Sequence, residues 1–79
     1  MSNALRREIL DAIERGASLE DFAGILRKHR DEGVSAQAAA GVLEAMRPGT
    51  DERIEDSILE VLDIVYGWCR PDLRVWSDP

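Results

Sequence analysis

Apolar residues recur at three- and four-residue spacing in four stretches of this chain, with glycine, proline and hydroxyl residues between them. The densest stretch, residues 51–69, reads DERIEDSILEVLDIVYGWC. At about 100° per residue, Ile54, Ile58, Leu59, Val61, Leu62, Ile64, Val65, Tyr66, Trp68 and Cys69 cover an arc of roughly 220°, against ~100° for an ordinary surface helix. A helix this apolar needs cover on two or three sides, so the pattern predicts the central helix of a small bundle. The remaining arc holds Glu52, Asp56, Glu60, Asp63 and Gly67, which sets four carboxylates along the one face left to water.

Three earlier stretches carry narrower faces. Leu5, Ile9 and Ile13, widened by Leu10 and Ala12, predict a helix over residues 4–15, with Arg7–Asp11 and Asp11–Arg15 as flanking ion pairs. Leu19, Phe22, Ala23, Ile25 and Leu26 predict a second over 19–31, with His29 on the extension of that face. A third, over 36–46, is rich in alanine, with Val42, Leu43 and Met46 supplying bulk. Gly16-Ala17-Ser18, Gly33-Val34-Ser35 and Gly49-Thr50 share one grammar: a glycine that can end a helix, then a hydroxyl residue that can cap the next. Asp21, three residues after Ser18, completes a capping-box pattern. Pro71 is expected to limit the last helix near Trp68 or Cys69. Residues 70–79 read as a short extended tail in which Leu73, Val75 and Trp76 close the open end of the bundle. The fold expected is all-α: a single domain of four helices joined by short turns, with neighbouring helices antiparallel.

Composition narrows the function classes. The 79 residues carry a formal net charge of −6, which argues against nucleic acid, whose binders present basic surfaces. A single cysteine excludes an internal disulfide and suits a reducing cytoplasm. No apolar run spans a membrane or forms a signal-peptide core. Ser2-Asn3-Ala4 has the look of a cloning scar. The basic run Arg27-Lys28-His29-Arg30 is expected at a helix C-terminus on dipole grounds.

No catalytic, cofactor or metal constellation is visible. Ser18 and Ser35 are committed to caps, Ser57 has no histidine nearby, and Cys69 lies on the apolar side of its helix, where a buried inert thiol is expected. A helix-turn-helix comparison over residues 19–46 is poor, because the would-be reading helix lacks Lys or Arg until Arg47. The acidic line has two readings, a solvated face or a docking stripe for a basic partner. Like charges at Glu52–Asp56 and Asp56–Glu60 cost stability, and only the first turn has the excuse of the helix dipole. Tyr66 and Trp76 are the aromatic anchors available to a partner, with burial the default for Trp76.

In size, charge and helical build the whole chain resembles the small acidic helical immunity proteins of bacteriocin and contact-dependent inhibition systems. In the bacteriocin nuclease branch the inhibitory surface is an acidic helix beside a tyrosine pair followed by proline; this chain has Tyr66 and Pro71 but no Tyr-Tyr-Pro. The resemblance implies a non-enzymatic protein that binds a cationic toxin domain, with Glu52, Asp56, Glu60 and Asp63 meeting its Lys and Arg and Tyr66 or Trp76 as anchor. The alternative is a helical oligomerisation or adaptor domain that self-associates through the alanine-rich face of the third helix.

Overall fold

The computed structural model describes residues 3–68 and 71–76. Four helices follow one another: α1 (Asn3–Glu14), α2 (Leu19–Asp31), α3 (Ala36–Met46) and α4 (Glu52–Tyr66), with a single 3-10 turn, Pro71–Leu73, after them. The punctuation read from the sequence is present at the atomic level. Ser18 accepts from the Asp21 N–H while Asp21 accepts from the Ser18 N–H, closing the capping box. The Ser35 hydroxyl caps α3 by accepting from the Ala38 N–H at 3.0 Å.

The fourth cap differs from expectation. Asp51, not Thr50, caps α4, its carboxylate accepting the Ile54 N–H at 2.9 Å. Thr50 instead donates its hydroxyl to the Arg47 carbonyl at 2.8 Å. An aspartate serves a cap as well as a hydroxyl does and adds a favourable charge at the positive end of the helix.

Helix α4 also ends earlier than expected, at Tyr66, and Gly67 rather than Pro71 ends it. Gly67 takes the left-handed conformation (φ 82). Its N–H bonds the Ile64 carbonyl, and the Trp68 N–H bonds the Asp63 carbonyl at 2.8 Å. This crossed pair satisfies carbonyls that the last turn would otherwise leave open. The same arrangement ends α1 at Gly16 and α2 at Gly33.

Packing runs in a ring: α1 against α2, α2 against α4, α4 against α3, and α3 against α1. Helices α2 and α3, although joined by a short turn, sit across the ring from each other, as do α1 and α4. Helix α4 is therefore one wall of the bundle and not its centre. Its buried residues, Ile58, Val61, Leu62, Ile64 and Val65, span only about 160° of the wheel. The core they face is built from Leu5, Ile9 and Ala12 of α1, Phe22, Ala23 and Leu26 of α2, and Ala39, Ala40, Leu43 and Met46 of α3. The alanines let α3 and α4 approach closely, and this pair shares the most extensive helix–helix interface. Leu19, expected inside, is 40% exposed. It is the first residue of α2. The radius of gyration, 11.4 Å, matches the about 11.6 Å of a folded chain this long.

The tail does close the bundle, though by a tight turn where extended backbone was expected. Pro71 presets the backbone for that turn. Leu73 and Val75 are buried and Trp76 packs half-buried against the core. Two side-chain bonds fasten it: the Trp76 indole N–H donates to the Val34 carbonyl at 3.1 Å, and Arg30 donates to the Val75 carbonyl at 2.7 Å. Cys69, Arg70 and residues 77–79 lie outside the described residues, and with them the expectation of a buried thiol.

Replacing Gly67 with Ala should destabilise the protein by about 1–2 kcal/mol, because an L-residue is strained in the left-handed region. The added Cβ would meet only Arg74 Nε, at 3.8 Å, so the cost is backbone strain and not a clash. Urea unfolding of G67A reads it directly.

Candidate interaction surface on helix four

Two groups of charges stand out in this molecule. One joins elements of the bundle. Glu8 of α1 receives Lys28 Nζ at 2.7 Å and lies 3.2 Å from His29 Nε2. Lys28 and His29 belong to α2, so this carboxylate ties the first two helices. His29 is buried, and its second ring nitrogen lies 3.8 Å from Glu32. At the other end, Arg47 bridges Glu44 of α3 at 3.0 Å and Glu55 of α4 at 3.1 Å. The basic run at the end of α2 thus does more than complement a dipole: Lys28 and His29 reach α1, and Arg30 reaches the tail. Of the two ion pairs expected on α1, Arg15–Asp11 forms at 3.1 Å.

The second population is the acidic line on α4. Glu52, Asp56, Glu60 and Asp63 are all exposed, and none of them has an ion-pair partner among the described residues. On the helical wheel they occupy about 80°, turned away from the buried face. Asp63 is the least comfortable of the four. It sits in the last turn, where the helix dipole is negative and no basic residue compensates it. Ser57 lies off this line, its hydroxyl donating to the Arg53 carbonyl at 3.3 Å.

Beside the carboxylates runs an apolar edge that belongs to the wide apolar arc read from the sequence, in which Tyr66 is also named as an anchor for a partner. Leu59 is 38% exposed, Tyr66 54% and Trp68 79%. Leu59 and Tyr66 fall between the buried face and the acidic line, at the margin of the apolar arc, where adjacency to Glu52 and Asp63 on the wheel was the available signal. Trp68 follows a left-handed residue, so a wheel position drawn for a continuing helix has no meaning there. Of the two aromatic anchors, Tyr66 is open to solvent, whereas Trp76 has its indole N–H bonded to Val34. The alanine-rich helix also divides. Ala39 and Ala40 are buried in the core, while Ala38, Gly41 and Ala45 face solvent. Among the described residues no three His, Cys, Asp or Glu side chains are placed to hold a metal ion together, and no helix is long and apolar enough to cross a membrane.

Comparison with protein-family models, with curated proteins and with solved structures finds no match for this chain.

Two outcomes follow from this division of charge. The hydrogen bond from Lys28, with a smaller contribution from His29, holds the Glu8 carboxyl below its ordinary value of 4.5 against the opposing effect of burial. A carboxylate lowered in the folded state adds stability above its unfolded pKa and loses it as pH falls through the folded value. Glu8→Gln should therefore be less stable than the parent at neutral pH, with the gap closing below pH 4.5; chemical unfolding across an acid series checks this. Asp63→Asn should act in the opposite direction and raise stability by about 0.3–1 kcal/mol, by relieving the dipole and the repulsion from Glu60. A higher urea midpoint is the expected reading.

Proposed function

We propose that this chain is a non-enzymatic protein-binding module whose partner is cationic and docks on the exposed face of α4. The observation that carries this reading is the contrast just described. Glu8, and Glu44 with Glu55 through Arg47, join neighbouring helices, whereas Glu52, Asp56, Glu60 and Asp63 stand together on one helix, solvent-facing and without an ion-pair partner among the described residues. Four like charges on one helix face, one of them opposing the dipole, cost stability. A surface that lowers stability and contributes nothing to the core is what a binding site looks like when selected for recognition. The net charge of −6 extends the field and favours fast encounter with a basic partner.

The partner class that fits best is a basic toxin domain, with this chain as the immunity protein that covers its active site or substrate surface. Size, acidity and helical build support that reading, and the missing Tyr-Tyr-Pro separates it from the bacteriocin nuclease branch. The anchor we assign is Tyr66, since the Trp76 indole N–H is engaged with Val34. Self-association through α3 is the second reading, supported by the exposed Ala38, Gly41 and Ala45.

The immunity reading expects a gene directly upstream for a large secreted protein with a variable C-terminal domain. It also expects that domain to be inhibited by this chain. Association should slow by about tenfold or more as ionic strength rises through the range where the Debye length falls from about 10 Å to about 3 Å. Reversing Glu60 and Asp63 to Lys should weaken binding by about 100-fold or more, and unchanged affinity would remove the stripe from the account. The self-association reading expects instead a dimer by light scattering that salt barely affects.

A further inference from the structure

The apolar edge of α4 has a geometry that selects among cationic partners. Leu59 and Tyr66 are seven residues apart on one side of the helix, about 10.5 Å along its axis. Glu55 shares that side, and its ion pair with Arg47 at the end of α3 places the start of that side beside α3. Leu59 and Tyr66 continue it as an exposed apolar strip, followed in the chain by Trp68, 79% exposed. The strip is bordered on the wheel by the acidic line, whose carboxylates have no ion-pair partner among the described residues.

We propose that this strip receives an amphipathic basic helix of the partner protein, which rests on the reading of α4 as a docking surface. Bulky apolar residues of that helix, seven apart, seat on Leu59 and Tyr66. Its flanking Lys and Arg meet Glu52, Asp56, Glu60 and Asp63. Three features favour this occupant. The seven-residue spacing of the apolar pair matches the anchors at i and i+7 of a helix lying in a groove. The backbone of α4 is hydrogen-bonded within its own helix and offers no edge to an extended strand, so recognition must run through side chains. A second copy of this chain would set the same four carboxylates against each other, and like charges in juxtaposition oppose that pairing.

The test uses the full chain and two peptides of about 15 residues, or four helical turns, built only from Leu and Lys. In one, Leu repeats at heptad spacing; in the other the same composition is scrambled. Affinities are read by fluorescence anisotropy against the parent, Leu59→Ser with Tyr66→Ser, Tyr66→Ser alone, and Glu60→Lys with Asp63→Lys. Circular dichroism checks that each variant is folded. The parent is expected to prefer the heptad peptide by about tenfold, worth ~1.4 kcal/mol. The double serine variant should lose that preference while still binding both peptides in a salt-dependent way. Equal affinity of the parent for the two peptides, a preference that survives the double serine variant, absence of binding by either peptide, or a parent dimer that Tyr66→Ser dissociates would each overturn helix docking on the strip. The broader reading fails separately. If both peptides bind without preference and Glu60→Lys with Asp63→Lys weakens them, the acidic surface stands without the helix. If that charge reversal leaves both affinities unchanged, the acidic surface falls too.

Discussion

The amount of apolar surface that three short helices can offer to a fourth governs the rest of this structure. A chain of 79 residues buries only about 60–65% of the surface it exposes when unfolded. Its two neighbours, α2 and α3, cover one broad face of α4, from Ile64 through Val61, Val65 and Ile58 to Leu62. Among the described residues nothing comparable is left to cover Leu59 and Tyr66. The apolar arc of α4 is wider than its neighbours can reach, and the surplus becomes surface. Four helices in a ring, each with its main interfaces to two others, are the arrangement such a limited supply permits.

That surplus is bordered by carboxylates, and the two features together define a face of the molecule whose chemistry folding does not explain. Several charges elsewhere have a visible structural purpose. Glu8 gathers Lys28 and His29 and so joins α1 to α2; Arg47 gathers Glu44 and Glu55 and so joins α3 to α4; Arg30 reaches the backbone of the tail. Such pairs are individually weak when exposed. They fix which helix lies beside which, while the buried aliphatic side chains supply most of the stability. The acidic line on α4 takes part in none of this. Interface energy concentrates where an aromatic or aliphatic anchor is ringed by polar groups, and Leu59 and Tyr66 beside four free carboxylates have that composition.

The tail adds a second constraint. Leu73 and Val75 complete the core, and the bonds from Trp76 to Val34 and from Arg30 to Val75 lash the tail to the end of α2 and to the turn that follows it. The segment after Gly67 must therefore leave α4 and cross back, and the left-handed glycine provides the change of direction. Tyr66 and Trp68, on either side of that glycine, are both exposed.

The four helices, the caps at Ser18 and Ser35, the stops at Gly16 and Gly33, and the solvent-facing run of Glu52, Asp56, Glu60 and Asp63 were all legible in the sequence. Each is a local matter, decided by periodicity, by a side chain within three residues of the N–H it serves, or by a glycine beside its own helix end. What the tertiary structure decided was which apolar residues found cover. Leu59 and Leu62 look alike on paper, yet one is exposed and the other buried, because the neighbouring helices reach only so far around α4. The ring order was equally invisible: α2 and α3 are adjacent in sequence and opposite in space, and distant pairs such as Glu8–Lys28 and Trp76–Val34 mark the helix and turn that meet instead. Periodicity states that a side chain should be buried; only the finite width of its neighbours determines whether it is.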